Sequence, residues 1–124
     1  MKKVFVLGGL AAMSLSLLPV MQAQAGAEAK CKACHSFEAT HSVGPGLAGV
    51  VGRKTGGTDF GGYSDVLKSG AWVWDEEHLR EFINDSNAAV KKFSGNADAK
   101  SKMPPQKLTG EKADEVINFL KGLK

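Results

Sequence analysis

The feature that most constrains this chain is a pair of cysteines three positions apart with a histidine directly after the second, the sequence C-K-A-C-H over residues 31–35. They are the only two cysteines among 124 residues. A disulfide at this spacing would close almost no loop and would remove little entropy from the unfolded chain. A thioredoxin-like pair needs a surrounding strand-helix-strand pattern, which is missing here. A zinc site needs two more ligands, for which only His41 and His78 remain.

The same residues form the C-x-x-C-H signature of covalent c-type haem attachment. One turn of helix places the thiols of Cys31 and Cys34 where both can add across the two vinyl groups of a single porphyrin. His35 then directs its imidazole toward the iron. Two thioether bonds prevent haem loss, so a small domain can expose a haem edge and still keep its cofactor. We predict one covalently bound haem c, attached at Cys31 and Cys34, with His35 as an iron ligand.

The first 25 residues differ in composition from the rest of the chain. Two lysines precede an uncharged, mostly apolar run over residues 4–21, and the sequence A-Q-A at residues 23–25 has the small-x-small pattern of a signal-peptidase site. We predict a secretory signal over residues 1–25, cleaved after Ala25, and one periplasmic domain over residues 26–124. The alternative is an uncleaved membrane anchor, because the apolar run is near the minimum length that spans a bilayer as a helix.

Composition indicates one globular module without a strongly charged surface. Hydrophobic residues make up 43% of the chain, an ordinary share for a one-domain globular protein. Removal of residues 1–25 takes away two lysines and no acid, which leaves 14 of the 16 basic residues against 13 acidic ones, a formal charge of +1. A nucleic-acid binder needs a much stronger positive field, so we expect no nucleic-acid partner.

Methionine supplies the candidate for the other axial position of the iron. Three of the four methionines fall within residues 1–25, so the mature domain keeps only Met103. Two prolines follow it, and they exclude a helix and favour a stiff extended loop that can hold a thioether against iron. Core packing is the ordinary role of a lone methionine, but lysines and prolines surround this one. We predict Met103 as the second iron ligand, with His41 and His78 as rivals.

Helices separated by glycine-rich loops are predicted for the rest of the chain. Ser64 and Asp75 are candidate N-caps, the first for a short helix over residues 65–68 and the second for a longer helix. The longer helix would bury one face, made of Leu79, Phe82 and Ile83. A final amphipathic helix would follow Thr109, with apolar residues at Ala113, Val116, Ile117, Leu120 and Leu123. No strand pattern is convincing, and the loop over residues 42–62 has few large apolar residues. The predicted fold class is all-α, with three to five helices and glycine-rich loops around the haem.

From Cys31 nearly to its end, the chain resembles the bacterial class I cytochromes c that are related to the mitochondrial carrier. The attachment motif carries the resemblance together with the sequence V-G-P-G-L at residues 43–47, which is similar to the family's proline loop. The resemblance implies the cytochrome c fold around one haem. It also implies that the Pro45 carbonyl accepts a hydrogen bond from the ligand histidine, which would orient His35 and make its imidazole a stronger donor to iron.

Three further residues match family positions near the haem propionates. The sequence G-R-K at residues 52–54 resembles the family's arginine near a propionate, which implies that place for Arg53. Tyr63 and Trp74 match the tyrosine and tryptophan that hydrogen-bond the propionates, an arrangement that gives their buried polar tips partners. The alternative for Tyr63 and Trp74 is a plain role in the core.

The chain also departs from the family pattern in three places. Only residues 26–30 lie between the expected cleavage site and the attachment motif, where relatives have an N-terminal helix of several turns. Phe82 stands where many relatives have a tyrosine near the methionine sulfur. Residues 87–100 look longer and more polar than the usual connection, which bears on the conformation of the methionine loop.

With both axial positions filled, a substrate cannot reach the iron, so we predict a one-electron carrier and no enzymatic activity. A thioether ligand favours ferrous iron and raises the reduction potential. One alternative is a haem module that an uncleaved anchor tethers to the membrane, where it feeds a terminal oxidase or reductase. Another is a haem enzyme or gas sensor with an open iron position.

The expected partners of this monomer are redox proteins or membrane respiratory or photosynthetic complexes. Five lysines near the methionine loop lie against one acid, Asp98, and would steer the protein to acidic partners: Lys91, Lys92, Lys100, Lys102 and Lys107. The alternative is ordinary solvated charge without a role in docking.

Overall fold

The computed structural model describes residues 8–9 and 26–124, so the predicted signal over residues 1–25 lies outside the described residues apart from Gly8 and Gly9. The elements are an N-terminal 3-10 helix (Ala27–Ala33) and four α-helices: α1 (Asp65–Lys68), α2 (Glu76–Asn84), α3 (Ser86–Ser94) and α4 (Gly110–Lys121). Within the described residues, the only β pairing is an isolated antiparallel bridge between Lys54 and Val73. The all-α prediction is confirmed. In the same two ranges, no helix is long and apolar enough to cross a membrane.

Helices α2 and α4 form the centre of the core, as their periodicity predicts. Helix α2 buries Leu79, Phe82 and Ile83. Helix α4 buries Ala113, Val116, Ile117 and Leu120. Asp75 caps α2 as predicted, because its carboxylate accepts a hydrogen bond from the His78 amide at 2.8 Å. Two ion pairs link α2 to α4 outside the core: Arg80–Asp114 at 2.7 Å and Lys121–Glu76 at 3.0 Å.

Helix α3 corrects the expectation of a long polar connection over residues 87–100, because the first part of that segment is helical. The Asp85 carboxylate caps the helix by accepting a hydrogen bond from the Ala88 amide at 3.0 Å. Gly95 ends the helix with φ of 70°, a left-handed conformation that glycine adopts without steric penalty. The helix buries only Ser86, Ala89 and Val90. With one small polar residue among three buried positions, its apolar periodicity is too weak to reveal it.

Helix α1 forms over the predicted residues, but the predicted capping hydrogen bond does not. Ser64 has the extended backbone angles of an N-cap, yet its hydroxyl makes no capping bond. At the C-terminal end of α1, the Ser69 amide donates to the Asp65 carbonyl oxygen at 3.0 Å. Ser64 is buried, and its hydroxyl has no hydrogen-bond partner among the described residues.

The segments before α1 are attached to the core by backbone hydrogen bonds and by partly buried side chains. In the loop over residues 42–62, Leu47 and Val50 are the buried apolar side chains, in agreement with the small core contribution predicted for it. The 3-10 helix lies against the last part of the chain. Its Ala27 amide donates to the Glu115 carboxylate at 3.3 Å. These contacts bring the attachment motif and the loop onto the helical core.

Candidate functional site

The two cysteines lie at the end of the 3-10 helix on one tight turn. The amides of Cys34 and His35 both donate to the Cys31 carbonyl oxygen, at 3.2 and 2.9 Å. The two cysteines do not pair with each other; Cys31 packs partly buried against the core and Cys34 is exposed. Before attachment, burial, and then the Glu28 carboxylate, raises the pKa of the Cys31 thiol. One turn therefore carries two cysteine side chains followed by an imidazole, the set of groups that covalent haem attachment uses.

The His35 ring is held by the loop that faces it. Its Nδ1 lies 2.7 Å from the Pro45 carbonyl oxygen and donates to it, because a carbonyl only accepts. This is the hydrogen bond that the resemblance to class I cytochromes c implies. With the proton on Nδ1, the other ring nitrogen Nε2 keeps a lone pair, which is the form of imidazole that binds a metal.

Gly44 allows this close approach of loop and ring. A Cβ added at Gly44 would lie 2.7 Å from Nδ1 of His35, which is inside van der Waals contact. The Gly44 amide also donates to the Cys34 carbonyl oxygen at 2.8 Å. A residue without a side chain is therefore required where the loop crosses the imidazole.

Arg53 braces the loop that carries Pro45. Its guanidinium donates to the Gly46 carbonyl oxygen at 3.0 Å and to the Ala48 carbonyl oxygen. The side chain thus positions backbone behind His35, a role that the sequence did not predict. A guanidinium has five donors, so these two bonds are compatible with the implied contact to a propionate, which stays a prediction.

Tyr63 and Trp74 are both buried, with 8% and 7% of their surface exposed. The Tyr63 hydroxyl pairs with the Thr58 hydroxyl at 2.6 Å. Trp74 lies beside Arg53, since its amide donates to the Arg53 carbonyl oxygen at 2.7 Å. Its ring packs on Phe82 with centroids 4.8 Å apart. Both aromatic residues contribute to the core, and their contact with propionates stays a prediction.

The cavity beside Tyr63 has the polar groups that haem propionates need. It holds about 430 Å³ and is lined by Ser64, Asn96, Lys100 and Lys102 among others. The Ser64 hydroxyl is one of two buried side-chain polar atoms without a hydrogen-bond partner among the described residues, and buried polar groups in proteins are nearly always paired. Lys68 and the acidic Asp65 line it as well, so three lysines and a hydroxyl donor stand against one carboxylate. This balance of charge and donors fits the propionate end of a haem.

Ser64 is a candidate that the sequence-based prediction missed, because the residue was interpreted only as a helix cap. Its position directly after Tyr63 was the available signal. The second unpaired atom is the Trp72 indole nitrogen, on a ring that packs against Trp74 at 5.9 Å between centroids.

Met103 packs partly buried against the core, and hydrogen bonds hold its backbone on both sides. The Ser86 hydroxyl donates to the Met103 carbonyl oxygen at 2.7 Å. The Met103 amide donates to the Ser101 hydroxyl at 3.1 Å. Ser86 was also missed by the sequence, because its role depends on the first turn of α3, which the pattern did not reveal.

Of the rival ligands, His41 has partners at both ring nitrogens and His78 has one at Nδ1. His41 Nδ1 accepts a hydrogen bond from the Gly46 amide at 3.0 Å, and Nε2 lies 2.6 Å from the Asp59 carboxylate. His78 Nδ1 donates to the Val73 carbonyl oxygen at 2.7 Å. Over the described part of the chain, no three histidine, cysteine or acidic side chains cluster as a metal site, which leaves the zinc alternative without ligands.

Comparison with known proteins agrees with this geometry. The family model described as Cytochrome c matches residues 20–124. The chain belongs to the cytochrome c family.

Among its relatives, cytochrome c2 of Rhodospirillum rubrum is 35% identical over 100 residues, which cover 77% of this chain and 74% of that protein. Cytochrome c-550 of Paracoccus versutus is 35% identical over 136 residues, covering 95% of this chain and 87% of that protein. The crystal structure of cytochrome c2 from Paracoccus denitrificans matches with a TM-score of 0.67 at 30% identity, over 76% of this chain and 87% of that one. The predicted cytochrome c fold is therefore confirmed.

Family and motif together define the basic chemistry of this cytochrome. One C-x-x-C-H sequence in a cytochrome c means one haem c, bonded covalently through Cys31 and Cys34. The chain is a monohaem electron carrier of the cytochrome c2 and c-550 type, not an enzyme. Its partners are accordingly redox proteins.

Proposed function

We propose that His35 and Met103 are the two axial ligands of the haem iron, so that this cytochrome passes electrons through the haem edge and no substrate reaches the metal. The observation that carries the proposal is the 2.7 Å hydrogen bond from His35 Nδ1 to the Pro45 carbonyl oxygen. It fixes the ring direction and leaves Nε2 as the free donor atom. Haem c supplies the ferric and ferrous states between which one electron is exchanged.

Met103 is supported as the second ligand by its thioether chemistry and by the engagement of one rival. It is the only methionine in residues 26–124, and its side chain is partly buried against the core. Both ring nitrogens of His41 have partners, whereas His78 keeps Nε2 and is the rival that the following experiment tests. A thioether ligand and burial both disfavour ferric iron and raise the reduction potential, which suits a carrier that accepts electrons readily.

The ligand assignment is tested by the weak long-wavelength absorption band that thioether coordination gives ferric haem. The wild-type protein should show the band, and Met103→Ala should abolish it while the covalently attached haem remains. His78→Ala is the control, because it removes a rival ligand and should leave the band unchanged. A band that survives Met103→Ala excludes Met103 as the ligand.

The propionates are proposed to lie near Arg53, Tyr63 and Trp74, with Ser64 as an added donor. The unpaired buried hydroxyl of Ser64 and the lysine-lined cavity beside it support this placement. These residues would hold the carboxylates by hydrogen bonds and keep water from them. Their charge balance would then contribute to the reduction potential.

We infer that the protein is exported to the periplasm, with residues 1–25 as the signal and residues 26–124 as the working domain. The lysine pair, the apolar run and the A-Q-A sequence support this. The tethered haem module is the competing arrangement. N-terminal sequencing of the exported protein decides between them, since a start at Gly26 excludes the tether and a start upstream of the apolar run supports it.

The proposed docking surface consists of the exposed lysines around the methionine loop: Lys91, Lys100, Lys102 and Lys107. Lys92, also predicted for this surface, is paired instead, 2.8 Å from the Glu81 carboxylate, and this contact raises its pKa. The acids of α2 are partly neutralised by Lys92 and Lys121, so they do not oppose the lysines at full strength. We propose that the lysine surface steers the carrier to acidic redox partners.

Steering predicts electron-transfer rates that fall as ionic strength rises. Lys91→Gln should weaken that dependence, because Lys91 is exposed and lies outside the cavity proposed for the propionates. Lys112→Gln on α4 should leave it unchanged. Rates that do not vary with ionic strength would contradict the steering proposal and leave the ligand assignment untouched.

A further inference from the structure

The first turn of α3 makes two hydrogen bonds to the segment that carries Met103. The Ser86 hydroxyl donates to the Met103 carbonyl oxygen at 2.7 Å. The Asn87 side-chain oxygen accepts from the Ser101 amide at 3.0 Å. Ser101 in turn accepts from the Met103 amide through its hydroxyl at 3.1 Å. The peptide groups on both sides of Met103 are therefore tied, directly or through Ser101, to two adjacent residues of one helix.

The methionine segment has few means of holding its own shape. Pro104 and Pro105 have no N–H groups, so two consecutive backbone donors are missing directly after Met103. The segment contains no helix between Ser94 and Gly110. Its internal hydrogen bonds are local, each spanning two or three residues, so bonds to α2 and α3 position the segment as a whole.

The anchoring end of the clamp lies in the core. Ser86 is fully buried, and its hydrogen bond to the partly buried Met103 is shielded from water on the Ser86 side. The Asp85 carboxylate caps the helix, and Val90 one turn further on is also fully buried in the core. A hydrogen bond from such a position transmits the rigidity of the core to the loop.

We propose that Ser86 and Asn87 form a clamp that positions Met103 and keeps its thioether on the iron. The clamp rests on the proposed function, because it requires Met103 to be the ligand. Ser86 and Asn87 act as positioning residues, since their bonds reach Met103 through its backbone. The clamp sets how often the thioether leaves the iron, and so how open the ferric haem is to an outside ligand.

The test is imidazole binding to the ferric holoprotein, because imidazole reaches the iron only when Met103 has moved away. Ser86→Ala removes the donor to the Met103 carbonyl oxygen, and we expect imidazole to bind about tenfold faster. Asn87→Ala removes the second bond without a cavity at a fully buried site, and we expect an increase of about threefold. Asn87→Ala also keeps the test valid if Ser86→Ala folds poorly.

The control is Thr55→Val, which removes another buried hydroxyl that donates to a backbone carbonyl, that of Trp72, at 2.6 Å. It also removes a buried hydroxyl, but it lies outside the methionine segment, and the Trp72 carbonyl keeps the Thr55 amide as a donor at 2.9 Å. Denaturant unfolding of both variants gives the loss of global stability against which each imidazole rate is compared. Of these two variants, only Ser86→Ala should bind imidazole faster than the wild type. Only Ser86→Ala should also lose the thioether absorption band at a temperature below that at which its helices unfold.

The outcomes separate the clamp from the ligand assignment. A wild-type protein without the thioether band overturns both proposals. A wild-type protein with the band, combined with equal imidazole rates in Ser86→Ala and Thr55→Val, overturns the clamp alone. A selective increase in Ser86→Ala and Asn87→Ala supports it.

Discussion

On the His35 side of the site, the decisive hydrogen bond reaches the side chain itself, whereas on the Met103 side the hydrogen bonds reach the backbone. Pro45 accepts from the imidazole across ten positions of sequence, and Ser86 donates to the Met103 carbonyl across seventeen. Imidazole has a strong donor that a carbonyl can orient, but a thioether is only a weak acceptor. A thioether is therefore aimed by fixing the peptide that carries it.

The two sides also differ in what surrounds them. The loop around Pro45 is packed directly on the imidazole at Gly44 and is braced by Arg53. The methionine segment is extended, contains two prolines and depends on α3. The comparison indicates that side-chain volume added on the His35 side should destabilise the protein. On the Met103 side, loss of the hydrogen bonds should let the methionine segment move away first.

The largest expected effect is that of Gly44→Ala. The new methyl group would overlap the His35 ring, which is tied to Pro45 and, in the proposed site, to the haem iron, so we expect a loss of about 1–3 kcal/mol in the free energy of unfolding. The measurement is denaturant unfolding of the holoprotein. Gly61→Ala is the matched control, because a Cβ there meets no atom within 4 Å. Equal losses in the two variants would show that the imidazole is not tightly packed by the loop.

A smaller effect is expected when the brace behind Pro45 is weakened. Arg53→Lys keeps the positive charge but loses the fork that bonds two carbonyl oxygens, so the free energy of unfolding should fall by roughly 1 kcal/mol. Arg80→Lys, in an exposed pair with Asp114, is the control and should change stability little. Arg53→Gln distinguishes the hydrogen bonds to the loop from the effect of the positive charge. If Arg53 contacts a propionate, the reduction potential should change in Arg53→Gln but not in Arg53→Lys.

The smallest effect concerns acid stability on the His35 side. A hydrogen bond and charge from His41 lower the pKa of Asp59. Because the folded pKa lies below the unfolded value of about 3.9, the contact contributes stability above that pH and loses it as the pH falls through the folded value. Asp59→Asn should flatten this part of the curve of stability against pH.

Asp98→Asn serves as the comparison for acid stability on the methionine side. It should leave the shape of the curve below about pH 4 as in the wild type. If Asp59→Asn and Asp98→Asn change the curve equally, the contact between His41 and Asp59 has no specific role in stability.

The sequence predicted those parts of the fold whose signals are local. The spacing of apolar residues predicts helices α2 and α4, and Asp75 caps α2 as expected. Helix α3 was not predicted, because its buried face contains Ser86 and only two small or medium-sized apolar residues. Its caps at Asp85 and Gly95 were visible, but caps without a strong apolar face do not establish a helix.

Within the site, the sequence by itself determined the chemistry of attachment. The C-x-x-C-H spacing places two thiols and an imidazole on one turn, and no distant residue is needed for that arrangement. The single methionine of residues 26–124 was likewise readable from composition alone, although its role as ligand remains a proposal.

Only the tertiary structure decided what holds these groups in place. Ser86 meets Met103, and Arg53 spans the carbonyls behind Pro45, because helices and loops separated in sequence pack together. The Ser64 hydroxyl loses its expected role as a cap for the same reason, since burial in a cavity wall is a property of the assembled fold. Covalent chemistry depends on neighbours in the chain, whereas positioning depends on neighbours in space.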